Sequence, residues 1–168
     1  MILHFNKINI KKRILYIKME NKKHLFLIRH GEGKHNVDWY TYGEEAYYIK
    51  EFTDPKLTPT GIKQASDLNK NFVEINNIEL VVTSSLTRCL QTTQHVFNGV
   101  QVPIIVHEYA REFPMGLQYS NKRRVKSVLE KEFANYDFSN VKSEEDELWN
   151  SKNHETEEEL KNRTKKLV

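Results

Sequence analysis

The chain has 168 residues, of which 38% are hydrophobic and 29% charged, and its net charge is +3. This length and composition fit one domain with a single core, and no segment approaches the roughly 20 apolar residues that a membrane span requires. So small a basic excess argues against nucleic-acid binding, and the lone Cys89 excludes an internal disulfide and favours a reducing, cytoplasmic location.

Residues 1–23 form a basic N-terminal extension that contains seven Lys and Arg residues among Ile and Leu. The extension lacks the continuous apolar stretch of a secretory signal and the serines of a typical transit peptide. We expect it to be poorly ordered or to form an edge strand, and a surface-binding or targeting tail is the alternative. Residues 24–168 are then the single domain.

The domain begins with an apolar strand, His24–Ile28. A long loop rich in aromatic residues is predicted over 37–56. Two interpretations of this loop are equally supported: a lid over a pocket, and a segment that packs over the edge of the sheet. A helix follows, with Thr58 as N-cap and Pro59 at its first position.

Strands and helices then alternate along the chain. Strands are predicted at 80–82 and 102–106, and the helix between them begins after Ser84-Ser85. Alternation of this kind predicts a parallel sheet covered by helices on both faces. Helices are also predicted at 123–133 and 155–167, the second with Thr156 and Glu159 at the spacing of a capping box. A further strand is expected after this last helix, and none follows before Val168.

Arg29 and His30 directly follow the first strand, at the end where α/β sheets bind ligands. A histidine can attack phosphorus when its second ring nitrogen is held by a neighbour, and arginine matches the geometry of phosphate oxygens. Gly31 then allows the backbone to approach a ligand closely. A polar pair that merely ends the strand is the alternative.

Arg88 lies in the first turn of the helix after the second strand, where a cation opposes the helix dipole, so we expect it to serve a ligand rather than to be an exposed charge. Glu108 and Glu112 follow the third strand, and either can protonate a leaving oxygen if partial burial raises its pKa. Asn36 can donate to a phosphate oxygen.

A basic cluster at 122–126 is expected on a solvated helix face, with recruitment of a second anionic group as the alternative. No pair of histidines has a metalloenzyme spacing, so we expect no metal site.

Three linked motifs give the chain its resemblance to a known family. They are Arg29-His30-Gly31-Glu32 with Asn36, Leu57-Thr58-x-x-Gly61, and Ser84-Ser85-Leu86-x-Arg88. From about His24 onward the chain resembles the histidine phosphatase superfamily, in its phosphoglycerate mutase-like branch. The resemblance implies a three-layer α/β/α sandwich with a mostly parallel sheet, here without its C-terminal strand.

The resemblance also implies roles for individual residues. His30 is expected as the nucleophile that forms a phosphohistidine, and Glu112, in an Arg-Glu step, as the proton donor. Arg29, Arg88 and Asn36 are expected to bind the phosphoryl oxygens without a metal or other cofactor. The family pocket also contains a second histidine after a later strand, and His154 does not match it.

The expected function is phosphomonoester hydrolysis, or phosphoryl transfer as in a mutase, on a small phosphorylated substrate. The alternative is a truncated and catalytically impaired relative, which acts as a phospho-ligand-binding module or is a non-functional fragment. We expect no nucleic-acid or membrane partner. Neither the substrate nor the oligomeric state follows from the sequence.

Overall fold

The computed structural model describes residues 14–18 and 24–167, and this part of the chain forms five strands and five α-helices. The strands are β1 (Ile14–Lys18), β2 (His24–Ile28), β3 (Val81–Ser84), β4 (Ile104–His107) and β5 (Asp137–Asn140). The helices are α1 (Lys34–Tyr42), α2 (Pro59–Asn71), α3 (Thr87–Val96), α4 (Lys126–Glu132) and α5 (Glu157–Thr164). Within these ranges no helix is both long and apolar enough to cross a membrane.

The strands pair mostly in parallel. In the described residues β3, β4 and β5 form a parallel sheet with β4 in the middle, and β1 pairs antiparallel with β2. The predicted strand His24–Ile28 is confirmed with its bounds unchanged. Strand β1 fits the edge-strand interpretation of the N-terminal extension, whose other residues lie outside the described part of the chain.

The core lies between the sheets and the helices α2, α3 and α4. One cluster joins β2 and β3 to α2 and α3, and it includes Phe26, Ile28, Ala65, Val81 and Val96. A second cluster joins β4 and β5 to α3 and α4, and it includes Leu90, Val106, Leu129, Phe133 and Phe138. Helix α3 contributes to both clusters, so the position of its N-terminus relative to the strand ends is fixed by packing on two sides.

The opposite face of the first strands is more open. Leu25, Leu27 and Val82 alternate along β2 and β3 with the core residues, so they point away from α2 and α3. Their side chains are 46%, 42% and 47% exposed. The predicted α/β class with a mostly parallel sheet is confirmed, and the structure places helices against the core face of these strands.

The predicted helix N-termini are confirmed where a side chain caps them. The Thr58 hydroxyl accepts a hydrogen bond from Gly61 N at 3.0 Å, and Pro59 begins α2. The Thr156 hydroxyl accepts from Glu159 N at 3.2 Å, while the Glu159 carboxylate accepts from Thr156 N at 2.7 Å. Both ends of this capping box are therefore formed, and α5 begins at the next residue.

Two predictions about the type and the bounds of elements were wrong. The long loop predicted at 37–56 contains most of α1 and the 3₁₀ turns Gly43–Tyr47 and Lys50–Phe52. The helix predicted at 123–133 begins only at Lys126, because Arg123 and Arg124 belong to a loop. The short strand β5 was not predicted, since its four residues contain a single buried apolar side chain, Phe138.

Candidate active site

The loop after β2 is tied to the helix that carries Arg88. Gly31 N donates to the Thr92 hydroxyl at 3.0 Å, and this hydroxyl donates to the Arg88 carbonyl oxygen at 2.7 Å. All three groups are buried. The carboxyl end of β2 and the first turn of α3 are therefore connected through one side chain, which brings two separate sequence motifs together.

Two glycines allow this loop to pack against α2. A Cβ at Gly31 would lie 2.5 Å from the Gly61 carbonyl oxygen, and a Cβ at Gly61 would overlap the Glu32 carbonyl oxygen. The Thr58 hydroxyl also donates to the Glu32 carboxylate at 2.6 Å. The close approach that Gly31 permits in this structure is thus to the backbone of Gly61. Approach of a ligand to the Gly31 backbone stays a prediction.

His30 has one ring nitrogen held and the other free. Because a carbonyl oxygen can only accept, the 2.6 Å contact to Gly31 O requires a proton on Nδ1. Nε2 is buried and has no hydrogen-bond partner in the described structure. Burial, followed by the charge of Arg88, lowers the His30 pKa to about 4. At neutral pH the ring is uncharged, and its lone pair is on Nε2.

Arg88 is fully buried, which excludes the interpretation as an exposed charge. Its Nη1 donates to the Ser120 carbonyl at 2.7 Å, and its Nη2 donates to Asn121 Oδ1 at 2.8 Å and to Glu112 at 2.7 Å. The Nε–H has no partner among the residues described. A buried guanidinium with an unused donor favours an anion beside it.

Glu112 forms an ion pair with Arg88 while its own side chain is 47% exposed. Burial would raise the pKa of this carboxyl, but the charge of Arg88 and its hydrogen bond to Glu112, together with the charge of Arg29, outweigh burial and hold the pKa below its usual value. Glu112 is therefore ionised in the ligand-free site. The raised pKa that a proton donor needs is therefore not present in this state of the protein.

Arg29, directly after β2, and Asn36, in the first turn of α1, are constrained to different degrees. Arg29 is exposed, and its charge acts on both His30 and Glu112. The Asn36 Oδ1 accepts from Gly33 N at 2.9 Å. This hydrogen bond orients the amide and leaves Nδ2 as the group that can donate to a ligand.

The alternative acid, Glu108, belongs to a buried ionic network. It is 7% exposed and pairs with Arg123 at 2.9 Å, while Arg111 makes two hydrogen bonds to Asp146 at 2.7 and 2.8 Å. Arg123 is itself buried. These contacts give Glu108 a structural environment and leave Glu112 as the carboxylate next to His30.

The basic cluster is not the solvated helix face that the sequence predicted. Arg123 is 3% exposed and donates to several backbone carbonyls, and Arg124 donates to the Thr87 hydroxyl and to Glu132. Two of its basic side chains are thus occupied by the protein's own acceptors.

From the sequence, His35 was assigned no role in the site. Its side chain is 4% exposed, and its ring lies 5.6 Å from the His30 ring and 6.0 Å from the Tyr47 ring. Burial and then the charge of Arg88 lower the His35 pKa to about 2. The available sequence signal was the aromatic-rich segment at 37–56, because its Tyr47 contacts the His35 ring in the folded protein. Among the described residues no group of three His, Cys, Asp or Glu side chains is arranged to hold a metal ion.

Asp54 was missed as well, although it organises the start of α3. Its buried carboxylate accepts from Thr87 N at 2.9 Å and from the Thr87 hydroxyl at 2.7 Å. It thereby satisfies a free N–H in the helix turn that carries Arg88. Nothing in the local sequence around Asp54 indicates a partner 33 residues away.

Taken together, a neutral imidazole with a free nitrogen lies beside a buried guanidinium and a carboxylate. This arrangement can bind an anionic group and attack its central atom.

The comparisons with known proteins agree with this geometry. The sequence model described as histidine phosphatase superfamily (branch 1) matches residues 25–168. Phosphoglycerate mutase-like protein 1 from Arabidopsis thaliana is 34% identical over 180 residues, covering 87% of this chain and 62% of that protein. Phosphomutase-like protein 3 from Candida albicans is 31% identical over 153 residues, covering 82% of this chain and 48% of that protein.

A solved structure shares the fold. The crystal structure of a putative alpha-ribazole-5'-P phosphatase from Escherichia coli matches with a TM-score of 0.50 and 22% identity, covering 83% of this chain and 62% of that chain. The chain spans about half to three fifths of the length of the two curated relatives. Since the family match extends from β2 through the last described residue, the chain belongs to the histidine phosphatase superfamily (branch 1).

Proposed function

We propose that this chain cleaves phosphate monoesters through a phosphohistidine formed on His30. The observation that carries the proposal is a pair of unused buried atoms, His30 Nε2 and Arg88 Nε. His30 Nε2 carries a lone pair, and Arg88 Nε carries a hydrogen that can be donated. The two side chains are close enough for the charge of Arg88 to lower the His30 pKa. A phosphoryl group satisfies both atoms, because its oxygens accept hydrogen bonds and its phosphorus accepts a lone pair.

In the first step, the Nε2 lone pair forms a bond to phosphorus as the bond to the ester oxygen breaks. The ester oxygen leaves with a proton from Glu112. The imidazole becomes a cation, and its Nδ1–H remains on the Gly31 carbonyl, which stabilises that charge. In the second step, water attacks phosphorus and gives a proton to Glu112, and the N–P bond breaks to restore neutral His30.

Glu112 has to gain a proton before it can act as the acid. In the ligand-free site its carboxylate occupies a donor of Arg88. A bound phosphate competes for Arg88 and brings negative charge close to the carboxylate, and both effects raise the pKa of Glu112. Ligand binding is therefore what prepares the acid, and Arg29 and Asn36 are the further donors we assign to the phosphate.

A second candidate is binding of phosphorylated ligands without turnover. The observation that favours it is the ion pair between Arg88 and Glu112, which leaves the site without a protonated acid when empty. Transfer to a bound acceptor, as in a mutase, uses the same first step. Hydrolysis and binding without turnover differ in what happens after the phosphate is bound, so one experiment separates these two.

The experiment is hydrolysis of a generic aryl phosphate without added metal, by the wild type and His30→Ala. We expect activity that His30→Ala abolishes. A folded wild type that binds phosphate without hydrolysing the ester would replace the proposal with the binding-module candidate. A His30→Ala variant as active as the wild type would exclude the phosphohistidine route.

The role of Arg88 is tested by phosphate-analogue binding. Arg88→Lys keeps the charge but loses the fork of donors, and we expect it to weaken vanadate binding at least about tenfold. Lys126→Ala is the matched control, because Lys126 lies at the start of α4 and pairs with Glu130. Equal and negligible effects of the two variants on vanadate binding would remove Arg88 from the site.

A further inference from the structure

The ring of His35 is the nearest aromatic neighbour that the structure gives to the proposed nucleophile. The centroids of the His35 and His30 rings are 5.6 Å apart with an interplanar angle of 51°, and the side chain of His35 is 4% exposed. Its other ring contact is to Tyr47, at 6.0 Å. The first turn of α1 therefore packs an imidazole against the imidazole that follows β2.

The local backbone makes room for this ring. A Cβ at Gly33 would lie 2.6 Å from both Cε1 and Nδ1 of His35, so the missing side chain at Gly33 is what gives the ring its place. Asn36 holds Gly33 from the other side through the hydrogen bond to its N–H. The segment from Gly33 to Asn36 thus fixes the position of the His35 ring within one helical turn.

Histidine is an unfavourable choice here for stability alone. Its Nδ1 is buried and has no partner in the part of the chain that the structure describes. An unsatisfied buried nitrogen destabilises the folded state, and an all-carbon ring would avoid that penalty. Local choices of this kind, which oppose folding, are expected at functional sites.

We propose that His35 is a positioning residue for His30: its ring packs against the imidazole and keeps the Nδ1–H on the Gly31 carbonyl, so that Nε2 stays free. The inference rests on the proposed function only for its kinetic consequence. The orientation and tautomer of His30 are properties of the folded protein and can be measured without turnover.

The charge state of His35 suits this role. Phosphorylation of His30 Nε2 makes the neighbouring ring a cation, and a second cation 5.6 Å away would oppose the reaction. Burial, followed by the charge of Arg88, lowers the His35 pKa to about 2, which keeps the ring neutral. His35 can therefore support the His30 ring from the side without repelling the charge that forms on it.

The test compares His35→Ala, His35→Phe and the control His95→Ala, which changes a histidine in the last turn of α3. The tautomer of His30 is followed by ¹⁵N NMR of the imidazole, and kcat and KM are measured with an aryl phosphate. We expect His35→Ala to give a mixture of His30 tautomers and to lower kcat at least about tenfold with little change in KM, because misplacing a reacting group by 1 Å can cost about a hundredfold. His35→Phe, which keeps a ring, should restore both readouts to near the wild type.

Two results would overturn the inference. One is an unchanged His30 tautomer and an unchanged kcat in folded His35→Ala. The other is a His35→Phe variant that is folded but has lost the wild-type tautomer, since a ring at this position would then be insufficient. If the wild type is inactive, the NMR comparison still decides the inference, whereas the proposed function alone fails.

Discussion

Replacing His35 by Phe should change how the stability of the protein depends on pH. The His35 pKa is lowered from 6.5 to about 2 in the folded protein. Below pH 6.5 the unfolded chain binds a proton at this histidine and the folded protein does not. Its contribution to stability is therefore complete above pH 6.5 and is lost as the pH falls towards 2.

The magnitude follows from the linkage relation. Once the unfolded histidine is protonated, below roughly pH 5.5, this group lowers the free energy of unfolding by about 1.4 kcal/mol per pH unit. Between pH 7 and pH 4.5 the loss is about 2.5 kcal/mol, which corresponds to a fall in Tm of about 5–10 °C for a chain of this size. The free energy of unfolding of His35→Phe should not fall by this amount over the same pH range.

The assay is urea denaturation of the wild type and His35→Phe at several pH values from 7 to 4.5. A packing difference between the two rings shifts the whole stability curve, whereas loss of a titrating group changes its slope. Tyr47→Phe is the control, because it alters a ring that contacts His35 and should leave the slope unchanged in this range. Parallel curves for wild type and His35→Phe would refute the assignment of His35 as a buried neutral histidine.

Three further substitutions test how the site is held. Asp54→Ala leaves the buried N–H and hydroxyl of Thr87 without their acceptor, and it should lower the free energy of unfolding by about 2–4 kcal/mol in urea denaturation. Arg163→Ala leaves the buried Glu155 carboxylate unpaired and should cost about 3–5 kcal/mol by the same measurement; a loss below 1 kcal/mol would contradict the buried-pair assignment. Gly61→Ala places a Cβ on a backbone carbonyl, so its circular dichroism should show loss of the cooperative thermal transition.

The sequence predicted the framework of the fold because its strands and capped helices have local signals. Thr58, Pro59 and Thr156 mark helix starts through side-chain chemistry that acts within a few residues. Helix α1 lacked such a signal, since its N-cap is Gly33 and its buried residues, His35 and Asp38, are polar. The α1 segment therefore has no apolar residues at helical spacing that are buried, and the sequence predicts a loop there.

The site residues were placed correctly relative to the strands, but their pairing was not predictable. Arg88 and Glu112 are 24 residues apart and meet only because β3, α3 and β4 fold together. Their contact determines that Glu112 is ionised when the site is empty. Glu108, four residues earlier in the chain, was a second candidate from the residues alone, and the fold assigns it to a buried network with Arg123.

The most direct test of the central claim is to trap the phosphorylated protein. The chain is mixed with an excess of aryl phosphate, quenched in alkali because phosphohistidine is labile in acid, and digested for mass spectrometry. A phosphoryl group on His30 in the wild type, absent in His30→Ala, is the predicted result. Turnover of the aryl phosphate with no phosphoryl group on His30 at any time point would contradict the claim.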